Sequence, residues 1–144
     1  MARIHDLLAE YGDSHQNPVN KRIHWVCVPL IVWSLLGILW SINTPAVFTG
    51  WPLPVNWATL LVLLSMVYYL YISKRLSIGV LLASILMLLS LHWLGQTGVS
   101  LWKTSIAVFV IAWIGQFIGH SIEGKRPSFF KDIQFLLIGP LWLL

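Results

Sequence analysis

Apolar residues gather into four runs, at about 23–42, 55–72, 76–94 and 101–119, broken by charge only at Lys74-Arg75 and Lys103. Each run is close to the roughly 20 residues that a helix needs to cross a hydrocarbon core about 30 Å thick. With 58% hydrophobic residues, 10% charged residues and a mean hydropathy of +0.79, the chain reads as an integral membrane protein. Four spans use most of the 144 residues and leave little for a separate soluble domain. The expected fold is therefore all-α: a polytopic helical bundle forming one domain over 1–144.

The segments around the runs refine that picture. Ile4, Leu7, Leu8 and Tyr11 recur at helical spacing among Arg3, Asp6, Glu10 and Asp13, the pattern of a short amphipathic helix lying on the membrane surface. Gly12 and Asp13 end it, and Pro18 steers Asn17 away from helical dihedrals, so His15 is expected in a turn. Asn20 is the expected N-cap of the first span, which puts His24 in its first turn and Pro29 inside it. Gly115 and Gly119 in the fourth run form a small-xxx-small pattern that permits close helix approach. The apolar tail 133–144 is about 18 Å long as a helix, too short to span, and reads as re-entrant or interfacial with Gly139-Pro140 bending it. The first 22 residues hold no signal-peptide h-region. Cys27 is the single cysteine, so an internal disulfide and a CxxC motif are both excluded.

Charge supplies the topology. If the N-terminus, the 73–76 hairpin and the stretch after 119 share one side, that side carries Arg3, Lys21, Arg22, Lys74, Arg75, Lys125, Arg126 and Lys131, and only Lys103 lies opposite. The positive-inside rule makes that side cytoplasmic. Trp40, Trp51, Trp57, Trp93 and Trp102 gather towards the other interface, and Tyr68, Tyr69 and Tyr71 mark the inner one. The net charge of +4 is spent on these flanks, with no basic stripe of the kind that binds nucleic acid.

An even number of spans returns the chain to its starting side, so His15, His24 and His120 are all expected near the cytoplasmic interface. His92 enters the third span about 24 Å from its start and cannot join them. Three imidazoles at one depth would make a metal site with open positions for water, oxygen or substrate. The alternative is that each is an interfacial histidine bonded to a neighbour or water, because no HxxxH or HExxH motif is present. Gln116, His120 and Glu123 fall on one helical face if the helix continues past Gly119. Glu123 would then bind a metal, orient an imidazole, or simply pair with Lys125 or Arg126. Asn17 and Asn20 read as turn and cap residues that can also donate to a bound oxygen species. His5 reads as exposed. No GxSxG is present and no serine has triad partners.

The signatures His15-x-Asn17-Pro18-x-Asn20-x-x-x-His24, Val28-Pro29 and Trp113-x-x-Gln116-Phe117-x-Gly119-His120-x-x-x-Gly124-x-Arg126-Pro127 closely resemble those of the Mpo1-like membrane proteins. With the four-span layout the resemblance covers nearly the whole chain. It implies an iron(II)-dependent dioxygenase of fatty-acid alpha-oxidation, which shortens a 2-hydroxy fatty acid by one carbon using O2. Carried over by position, His15, His24 and His120 would bind Fe(2+), with Glu123, Gln116 and Asn20 at the catalytic site. Arg126, Lys125 and Asn17 would then meet the substrate carboxylate at the head-group level. Ser128 stands where the family often has Ala after Arg-Pro. The short C-terminus looks like that of a bacterial member, placing the chain in the inner membrane, or in the endoplasmic reticulum if eukaryotic. A homo-oligomer is compatible with this reading.

Two rivals use the same residues differently. A zinc hydrolase would keep the ligands and need no O2. A membrane adaptor or transporter would need no metal, but a transporter should carry polar residues near mid-membrane, where this chain offers few.

Overall fold

The computed structural model describes residues 4–6, 8–9, 17–48, 50, 52 and 55–124. Among these the chain is all helical, with four long helices: α1 (Pro18–Ser41), α2 (Trp57–Ile72), α3 (Lys74–Gly95) and α4 (Leu101–Glu123). A 3-10 turn, Ala46–Phe48, lies in the loop between α1 and α2. The expected re-entrant tail at 133–144 lies outside the described residues.

Local chemistry fixes the ends of these helices. α1 starts five residues before the expected position, with Asn17 as N-cap: its side chain accepts a hydrogen bond of 2.9 Å from the Val19 N–H. Pro18 follows at the first helical position, where its missing N–H costs nothing. The expectation that Asn20 caps this helix is therefore corrected. The polar Asn20-Lys21-Arg22 stretch resembles a loop in hydropathy but forms part of the first turns, with Asn20 facing in and the two cations facing out. His24 consequently sits in the second turn, and the helix continues through Pro29.

α2 opens with a capping box, in which Asn56 and Thr59 satisfy each other's backbone N–H groups at 3.1 and 2.9 Å. Ser73 alone joins α2 to α3, as C-cap of one and N-cap of the other. Lys74 and Arg75 are thus the first residues of α3. α4 runs on through Gly119 to Glu123 and stops at Gly124, whose φ of 74° is the left-handed conformation that ends many helices.

α1, α3 and α4 are long and apolar enough to cross a membrane. α2 has 16 residues, about 24 Å, and is shorter than a typical hydrocarbon core. Its ends are nevertheless level with those of its neighbours, as two clusters show. Leu36, Ala58 and Leu91 pack together with Trp33, Trp40, Leu88 and Leu101, joining the late half of α1 to the start of α2, the late half of α3 and the start of α4. Trp33 Nε1 reinforces that contact by donating 2.8 Å to Ser90 Oγ. At the other end Ile4 is buried against Met66 and Tyr69, with Leu8, Ile72, Leu76 and Val80 around them. The amphipathic segment therefore packs Ile4 and Leu8 onto the bundle rather than resting only on lipid. The helices alternate in direction, and Leu63, Leu64, Val67, Leu82, Leu86 and Ile111 are left on outward faces suited to acyl chains.

The most extensive packing is between α1 and α4. Lipid tails are as apolar as leucine, so this contact relies on close backbone approach rather than on hydrophobic burial. Small residues provide it. A Cβ on Gly115 would lie 2.7 Å from Cys27 Sγ, one on Gly119 would collide with the Asn20 side chain, and one on Gly37 would collide with Ser105. The Gly115/Gly119 pattern read from the sequence is thus the seam of α1 and α4.

Candidate functional site

The seam opens at its charged end into a polar site. From α1, Asn20 and His24 stand one turn apart on the inner face; from α4, Gln116 and His120 stand one turn apart facing them. All four side chains are buried, His24 completely and His120 to within 4%. The two imidazoles meet edge to face, with ring centroids 4.9 Å apart and planes at 89°. The even return of the chain, expected to bring His24 and His120 to one end of the bundle, does so.

His24 Nδ1 lies 3.0 Å from the Asn20 carbonyl, to which its N–H can donate. In that tautomer Nε2 carries the lone pair, so the backbone contact fixes which ring nitrogen can act as an acceptor. Gln116 Oε1 is buried and makes no hydrogen bond among the described residues. Two imidazoles and a buried amide oxygen are donors of the type that first-row metals accept.

Glu123, half buried at the end of α4, reaches across to α1. Its Oε2 accepts from the Asn17 backbone N–H at 2.7 Å and from Asn20 Nδ2 at 3.3 Å. Because α4 continues past Gly119, Gln116, His120 and Glu123 do lie on one face. Gly119 sits opposite Asn20, where any side chain would drive the two helices apart.

His15, Lys125 and Arg126 lie outside the described residues. Among those described, no group of three His, Cys, Asp or Glu side chains stands close enough to hold a metal. Within them the histidine pair is the nucleus of the site. His5 is exposed, and so is His92, whose ring lies 6.2 Å from that of Trp40 at the opposite end of α1. Sequence reasoning missed the partnership of Asn20 with Glu123. One signal for it was available: Asn20-x-x-x-His24 and Gln116-x-x-x-His120 each place an amide one turn from a histidine.

Apolar helices in alternating directions, with a buried histidine and amide cluster where basic residues flank the bundle, define a polytopic membrane protein with a polar site inside its helices. The chain belongs to the Mpo1-like family: residues 1–144 match the family model described as "2-hydroxy-palmitic acid dioxygenase Mpo1-like". It is similar to the 2-hydroxy-palmitic acid dioxygenase MPO1 of Saccharomyces cerevisiae, at 32% identity over 140 residues, 95% of this chain and 75% of that protein. No solved structure matches the chain. The resemblance carried by the two histidine signatures therefore holds along the full length.

Proposed function

We propose that this protein is an iron(II)-dependent membrane dioxygenase that shortens 2-hydroxy fatty acids by one carbon. The observation that carries the reading is the buried edge-to-face pair of His24 and His120, with His24 Nδ1 occupied by a backbone carbonyl. The name of the yeast relative gives the substrate class.

His24 and His120, together with His15 two positions before Asn17 in the sequence, are the residues that would hold iron. Iron(II), when bound, would supply a redox centre at which dioxygen and the 2-hydroxy acid are brought side by side. Atom balance sets the overall reaction: R-CH(OH)-COOH and O2 give R-COOH, carbon dioxide and water, with the C1–C2 bond broken and dioxygen reduced by four electrons. The chain's own part is positioning. Neutral imidazoles leave positive charge at the site, which favours an anionic substrate, and Arg126 with Lys125 would pair with its carboxylate at the head-group level. The Asn20 and Gln116 amides would orient polar groups of the substrate. Outward apolar faces of the helices would take the acyl chain. By the charge bias of its flanks, the site would face the cytoplasm.

Purified, iron-reconstituted protein given 2-hydroxypalmitate is expected to release the acid with one carbon fewer, consuming about one O2 per turnover by the balance above. Conversion at an equal rate under anaerobic conditions would mean that dioxygen is not the oxidant and would overturn the assignment.

A further inference from the structure

Glu123 occupies an unusual place in the capping chemistry of α1. In an ordinary capping box, the residue at the third helical position reaches back to accept from the N-cap backbone N–H. At that position α1 has Asn20, and the acceptor comes instead from Glu123, 106 residues away on α4. Asn20 also gives its own Nδ2–H to the same atom, so both donors converge on one oxygen, Oε2. The box is thus completed between two helices. Three residues before Glu123 on α4 is His120, and four residues after Asn20 on α1 is His24. The clamp therefore sets the height and rotation of one histidine-bearing helix against the other, where Gly119 leaves room for nothing but contact.

We propose that Glu123 is a positioning residue: an acceptor that closes the N-terminus of α1 from α4 and so aligns His24 with His120, rather than a metal ligand or a proton acceptor. The consequence for iron rests on the function proposed above; the clamp itself does not. A glutamine offers one carbonyl oxygen in the place of Oε2 and can accept both hydrogen bonds. It lacks the negative charge that a ligand or a base would need.

The test compares wild type, Glu123→Gln and Glu123→Ala in detergent for thermal unfolding, iron affinity and turnover. Glu123→Gln is expected to bind iron within about fivefold of wild type, the factor that goes with losing a charge at a helix N-terminus. It should unfold near the wild-type temperature. Glu123→Ala is expected to lose about 10- to 100-fold in iron affinity, as when a group that orients a ligand is removed, and to unfold at a lower temperature. Loss in the Gln variant equal to that in the Ala variant would overturn the proposal, and so would wild-type iron affinity in the Ala variant. If the Ala variant does not fold, the Gln variant decides alone. Wild-type protein that binds no iron would defeat the proposed function, and the three unfolding temperatures would still test the clamp: equal values would overturn it.

Discussion

Single residues at the charged end of the bundle each do a job that hydropathy does not reveal. Asn17 is both a cap and a tether: its side chain accepts from the Val19 N–H while its own backbone N–H goes to Glu123. Replacing it with alanine removes only the first of these. Asn17→Ala is expected to cost about 1 kcal/mol, the usual value for an N-cap, and thermal unfolding in detergent would show it as a lowered midpoint. An unchanged midpoint would mean that the start of α1 is held by other contacts. Asn20 was read from the sequence as that cap because its side chain can accept from the orphan amides of a helix starting near Ile23. In the fold it is fully buried, and Asn17-Pro18 starts the helix. Capping preference alone cannot choose between two asparagines three residues apart; the proline between them was the better guide.

At the scale of helices, the pairing of α1 with α4 makes the site. The four apolar runs, a short hairpin within 73–76 and the Gly115/Gly119 seam were legible in the sequence, since length, charge and small-residue spacing each have a direct structural consequence; that Ser73 alone makes the hairpin, with Lys74 and Arg75 already helical, was not. The extension of α4 to Glu123 was legible only as a condition, because Gly119 and Gly124 both look like stops. Gly119 proves to be a contact glycine and Gly124 the terminator. The bond from Glu123 to Asn17 depends on the relative height of two helices, which no pattern along the chain encodes. The seam can be tested by its own stereochemistry. Gly115→Ala forces a methyl group against Cys27 Sγ and is expected to destabilise by about 1–3 kcal/mol, the usual penalty of overpacking. Cys27→Ala removes the sulfur, so the double variant should recover much of the loss. Strictly additive effects in the thermal unfolding of the two single variants and the double variant would place the crowding elsewhere.

For the molecule as a whole, the even return of the chain brings distant segments to one side. Lys21, Arg22, Lys74 and Arg75 are exposed at the end of the bundle that also holds His24 and His120. His92 and Trp40 mark the other end. That arrangement was deducible because spans alternate in direction and charge selects a side. It brings together two histidines separated by most of the sequence, in a packed interior where polar groups are costly unless they have a function. The function proposed here depends on those two rings binding one ion. Iron content after anaerobic reconstitution, measured per chain on folded wild type, His24→Ala and His120→Ala, tests this most directly. The expected result is stoichiometric iron in wild type and near-complete loss in both variants; a full complement of iron in either variant would contradict it.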